Sequence, residues 1–118
     1  MYDIQFTDDG LQDVRALPRN IRNALGKAMK KELAPDPAPC SDELREPLQG
    51  WRSFHHGKYR VVFKVYKKER IIAVAGIGRH DKDEAKDIYR RLEAAAKRGK
   101  LAEQVLAALK GLSAPPKR

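Results

Sequence analysis

Two β-rich stretches near the middle of the chain constrain the fold more than any other feature. Tyr59-Arg-Val-Val-Phe-Lys-Val-Tyr66 is dense in β-branched and aromatic residues, the composition that suits a pleated surface. Strand alternation puts Tyr59, Val61, Phe63 and Val65 on one face and Arg60, Val62, Lys64 and Tyr66 on the other. Lys67-Lys68-Glu69 reads as a polar turn, and Arg70 to Gly78 as a second strand. That second strand is apolar almost without interruption, which predicts a central place in the sheet. Residues 51–56 extend the pair into an antiparallel ribbon through a turn at Gly57-Lys58.

A ribbon needs cover to be stable, and the flanks supply it. Tyr2, Ile4 and Phe6 alternate over residues 2–7 and predict a first strand that adds to the sheet. Asp8 or Asp9 is placed to cap a short helix striped by Leu11, Val14 and Leu17, and Pro18 breaks it. Ile21, Leu25, Ala28, Met29 and Leu33 recur at helical spacing through residues 19–34. Pro35, Pro37 and Pro39 exclude regular helix or central strand, so 35–47 reads as a loop with a short turn at Asp42-Glu43-Leu44. Asp81 and Asp83 signal a helix over roughly 83–98, striped by Ala85, Ile88, Leu92 and Ala95 and ended by Gly99. Leu101, Val105, Leu106, Leu109 and Leu112 predict a last amphipathic helix. The expected architecture is α+β: a small antiparallel-rich sheet in the order β-α-α-β-β-β, with two N-terminal helices packed on it, C-terminal helices after it, and the helices on one face.

With 118 residues the chain suits one domain, expected over 1–112, with 101–112 as a helical extension and 113–118 as a frayed tail. Its net charge of +9 is unevenly placed. Residues 1–50 are net −2, whereas residues 51–80 hold eight basic residues against one acidic, a net of +7. A basic block so concentrated points to a polyanion such as nucleic acid; the plain alternative is a solvated face. The single cysteine, Cys40, excludes an internal disulfide framework and reads as incidental. No apolar run is long enough to span a membrane, and Met1–Phe6 lacks the basic and apolar regions of a signal peptide. A reducing cytoplasm is expected.

The segment Leu48-Gln-Gly-Trp-Arg-Ser-Phe-His-His-Gly-Lys-Tyr-Arg-Val-Val-Phe-Lys-Val65 resembles the central signature of the RelE/ParE toxin superfamily of bacterial type II toxin–antitoxin systems. That signature has Leu-x-Gly, a basic strand, a turn with Gly, then Tyr-Arg and an apolar strand; a second apolar strand ends near Gly-x-Arg, here Arg79. The resemblance implies a toxin paired with a cognate antitoxin and meeting operator DNA only through that complex. RelE-like members cleave mRNA on the translating ribosome without a metal or other cofactor, and this branch is favoured. ParE-like members instead inhibit DNA gyrase. A third possibility is a degenerate member that only binds.

The nuclease chemistry is attack of a ribose 2′-hydroxyl on the adjacent phosphate. It needs a base, cations for the phosphorane and an acid for the 5′-oxygen. The resemblance carries over onto Arg52, Arg60 and Arg79 and, more loosely, onto His55, His56 and Tyr89, while His80, Lys58 and Lys64 are added from their own chemistry and place. The catalytic candidates are Arg60, Arg79, His80 and His56, and the RNA-binding candidates are Arg52, Lys58, Lys64, His55 and Tyr89. Arg60 and Arg79 are guanidinium clamps on the phosphate, against the plain reading of solvated arginines. Gly76 and Gly78 before Arg79 allow a ligand backbone close approach. His80 or His56 handles protons. His55 and His56 point to opposite faces, and His56 shares strand parity with Arg52. Lys58 and Lys64 suit backbone phosphates better than chemistry. Trp51 is a stacking candidate but reads more simply as core. Tyr89 sits on a helix, farther from Arg79 than the family pattern would place it. Three histidines and one cysteine make a poor metal set.

Overall fold

The chain runs β1 (Asp3–Phe6), α1 (Asp8–Ala16), α2 (Arg19–Ala28), β2 (Ser41–Glu43), β3 (Arg52–His56), β4 (Tyr59–Tyr66), β5 (Ile71–Arg79), α3 (Ile88–Lys97) and α4 (Lys100–Ser113). This is a computed structural model, and it describes residues 1–113. The tail expected over 113–118 lies, from residue 114 onward, outside the described residues.

All five strands form one sheet in the order β1-β5-β4-β3-β2. Strand β1 runs parallel to β5, and every other neighbouring pair is antiparallel. The α+β architecture is as expected, and the apolar β5 is interior, buried from Ile71 to Ile77.

The helices, however, cover both faces rather than one. Leu25, Met29 and Leu33 pack with Phe54, Val61, Phe63, Ile72, Val74 and Ile77 on one side. Ile88, Leu92, Ala95, Leu101 and Val105 pack with Trp51, Val62, Ala73 and Ala75 on the other. A strand apolar at every position needs both faces covered. The register shift between Val62 and Phe63 leaves Ala75 unpaired, since Val62 faces Gly76 and Phe63 faces Val74. This bulge lets Val74 and Ile77, three apart, share one face.

Local chemistry explains the boundaries. Thr7, rather than Asp8 or Asp9, caps α1: its Oγ1 accepts from the N–H of Gly10 at 3.1 Å. Gly10 sits so near β5 that a Cβ there would lie 2.5 Å from the Val74 carbonyl oxygen. Because β1 ends at Phe6, opposite Val74, the edge of β5 beyond that point needs another partner, and Asp13 accepts from the N–H of Ile77 at 2.9 Å. Arg91 of α3 forks onto the same carboxylate. Helix α2 ends in a π-helical turn, Met29–Leu33, that buries Met29 and Leu33.

Two further boundaries differ from expectation. Ser41–Glu43, read from sequence as loop and turn, pairs with β3 as the edge strand β2. Helix α3 begins at Ile88 with Asp87 as its cap, not near Asp83. The earlier aspartates make local turns instead: Asp81 accepts from the N–H of Asp83, and Asp83 from that of Ala85. Gly99 ends α3 at φ +71°, as its position predicts.

Candidate functional site

The site lies where the β3–β4 turn, Gly57-Lys58, meets the end of β5. His55 pairs with Arg60, and Arg60 with Gly78. Arg60 has the parity of the buried Val62 and so faces the α3 side. The next row, His56 opposite Tyr59 opposite Arg79, has the opposite parity and faces the α1–α2 side. The basic candidates thus divide into two adjacent rows at one sheet end, one on each face.

The α3 side gathers the denser set. Arg60 Nη1 donates to the carbonyls of Gly57 at 2.9 Å and Tyr59 at 3.0 Å. Its Nε is buried with no hydrogen-bond partner, the one side-chain nitrogen or oxygen so placed among the described residues. A buried donor left unmet costs about 1–3 kcal/mol. Such a group is uncommon in a native structure and calls for an explanation.

His80 follows β5 directly. Its Nδ1 lies 2.7 Å from Asp87 Oδ1, and its ring meets Tyr89 edge-on at 5.0 Å between centroids. The Tyr89 hydroxyl shares a 2.7 Å hydrogen bond with Ser53 Oγ, tying α3 to β3. Burial lowers the His55 pKa from its ordinary 6.5 and the nearby Arg60 guanidinium pushes the same way; Asp42 pulls against them, and His80 adds a smaller push downward. His55 therefore holds a proton less readily than a free imidazole. Burial alone would raise the Asp87 carboxyl; hydrogen bonds from His80 and from the N–H groups of Asp81 and Arg90 outweigh it and hold the group below its ordinary 3.8. A groove of about 320 Å³ opens beside His80, Asp87 and Tyr89, with Arg45, Arg90, Glu46 and Glu93 on its walls.

The other named residues stand apart. Arg52 is engaged with β2: its Nε donates to Ser41 Oγ at 2.7 Å, its Nη2 to the carbonyls of Ser41 and Ala38, and its Nη1 pairs with Glu43. Lys64 lies over the Trp51 and Tyr66 rings at 6.0 and 5.8 Å, about 13 Å along the strand from Arg60. Lys58 is exposed in the turn and Arg79 is exposed at the strand end. Trp51 is core, 7% exposed. Gly76 and Gly78 make room for α3 instead of a ligand: a Cβ on Gly78 would meet Ile88 at 3.1 Å.

Asp87 and Ser53 were not singled out from the sequence. The only signal for Asp87 was its place among four acidic residues between 81 and 87. Ser53 gave none, being a small polar residue at an inward strand position.

Among the described residues no helix is long and apolar enough to cross a membrane. Residues 4–84 match the profile of the family described as ParE toxin of type II toxin–antitoxin system, parDE. The chain is 27% identical over 90 residues to toxin RelG of Mycobacterium tuberculosis, covering 76% of this chain and 98% of the relative. In fold it resembles a chain of the M. tuberculosis RelBE2 toxin–antitoxin complex, with a TM-score of 0.63 at 23% identity over 66% of this chain and 96% of that one. It also resembles the isolated Escherichia coli RelE toxin, with a TM-score of 0.60 at 20% identity over 83% and 98%. On the family match over residues 4–84 and the shared fold, the chain belongs to the RelE/ParE superfamily of type II toxin–antitoxin toxins.

Proposed function

We propose that the chain is an endoribonuclease that cleaves mRNA on the translating ribosome, using side chains alone, and that a cognate antitoxin holds it in check. The observation that carries the reading is the Arg60 guanidinium, with a buried unpartnered Nε, in the same cluster as His80, whose side chain is 60% exposed. One group supplies fixed positive charge for a phosphorane, and the other presents an imidazole nitrogen to the exposed side for proton transfer. His55 and Tyr89 border the same surface and suit contacts to RNA. Arg79 and His56, on the adjacent row, extend the positive edge along the RNA path, with Lys58 in the turn between the rows. The antitoxin partner is supported by relatives of this fold solved as toxin–antitoxin complexes. Operator DNA is met through that complex.

Induction of the chain without an antitoxin, followed by primer extension on a translated mRNA, tests the reading. Codon-phased cuts are expected. Arg60→Ala should reduce cutting about 10²–10³-fold while the variant stays folded. Uncut mRNA would overturn the reading. The family profile matched is that of ParE toxins, which favours one rival, a gyrase inhibitor without nuclease activity. It predicts DNA breaks and an SOS response with intact mRNA.

A further inference from the structure

We propose that Asp87 is a positioning residue that holds His80 as the base for the ribose 2′-hydroxyl of bound RNA. This rests on the nuclease reading and names how its proton step is organised. Asp87 is 4% exposed, while residues 82–86 just before it are exposed. A carboxylate is seldom buried unless donors meet its charge. Three converge here: His80 Nδ1 at 2.7 Å, the N–H of Asp81 at 2.8 Å and the N–H of Arg90 at 3.1 Å. The Arg90 contact is the helix cap, and the Asp81 contact closes the loop. Neither of those needs the histidine.

An ionised carboxylate only accepts, so Nδ1 carries the ring proton and the Nε2 lone pair is left on the exposed side. Tyr89, anchored by Ser53, stands edge-on to the ring. Ring tautomer and ring angle are therefore both set before substrate arrives. In the reaction Nε2 takes the 2′-hydroxyl proton as the 2′-oxygen–phosphorus bond forms and the phosphorus–5′-oxygen bond breaks. The leaving oxygen takes a proton from water at the open groove. The imidazolium, opposite the Asp87 carboxylate, returns its proton to the hydroxide left behind. Residues 85–113 lie outside the span that matches the family, so the contact is not part of the matched signature.

Two readouts on the full chain test this. Nitrogen-15 NMR of the His80 ring should show a protonated Nδ1 and a bare Nε2. Asp87→Asn and Asp87→Ser should shift the ring toward the other tautomer. Serine keeps a capping oxygen for the helix but is too short to reach His80, so a folded Asp87→Ser separates positioning from capping. In a purified translation reaction, His80→Ala should slow mRNA cleavage about 10²–10⁴-fold. Asp87→Ser should cost a comparable factor in the wild-type background and nothing further beside His80→Ala. A protonated Nε2 in the wild type, full cleavage by folded Asp87→Ser, or equal losses in both backgrounds would overturn the proposal while the nuclease reading stands. The expected tautomer without any cleavage would overturn the nuclease reading, and the catalytic use of the pair with it.

Discussion

The two faces of the sheet are closed differently. On the α1–α2 side, apolar packing continues along β4 and β5 from Phe63 and Ile72 to Ile77. On the other side α3 starts only at Ile88, after an eight-residue excursion from Arg79. Past Ile88, which packs on Gly78, that side of the sheet end carries polar groups: His55 and Arg60 on the strands, with His80 and the Ser53–Tyr89 pair beside them. Two arginines show the same contrast. Arg52 has hydrogen-bond or ion-pair partners for all three guanidinium nitrogens, whereas Arg60 keeps a buried nitrogen unmet. One arginine spends every guanidinium nitrogen on the fold, and the other does not.

The largest expected effect lies on the closed face. Phe63 is fully buried, and Phe63→Ala should cost about 3–5 kcal/mol of stability in chemical denaturation. Any lost toxicity should then follow only the folded fraction. A cost below ~1 kcal/mol would erase the distinction between the faces. The arginine pair gives the next test. Arg52→Ala should lower stability by about 1.5–3 kcal/mol with cleavage by the folded protein unchanged. Arg60→Ala should leave stability within ~0.5 kcal/mol or raise it, despite its large effect on cutting. Matching stability losses would break the comparison. The smallest effect concerns acid. The folded pKa of Asp87 lies below its ordinary 3.8, so its contribution is complete above that pH and is lost as pH falls through the folded value. Asp87→Asn should therefore flatten the decline of stability with acid below pH 3.8, measured by thermal unfolding across pH. An unchanged acid limb would mean that the three donors do not hold the carboxylate.

The sheet was legible in sequence because alternation and apolar runs report burial directly. Tyr59–Tyr66 and the run through Gly78 carried that signal, and β1 followed from Tyr2, Ile4 and Phe6. Strand β2 was not, since Ser41-Asp-Glu is polar throughout and owes its extended form to pairing with β3 and to Arg52. The two-sided cover was already implied by the continuous apolar run of β5, but it was read as centrality alone. The start of α3 was misplaced because Asp81, Asp83 and Asp87 carry the same capping chemistry; tertiary contact with His80 and burial select the last. Alternation separated His55 from His56, yet it left undecided which faced the helix carrying Tyr89. That choice depends on the register of β3 against β4.

The parallel β1–β5 pairing also has a bearing on time. The hydrogen bond from Thr7 to Ala75 joins residues 68 positions apart. Closing so long a loop must precede the contacts that reward it, which slows folding. His80 follows that late strand, and its tether, Asp87, comes later still. Under the nuclease reading, a growing chain carries its arginine long before it has a working base. On that reading the catalytic set is incomplete until residues 80–87 have been made and β1 has paired with β5.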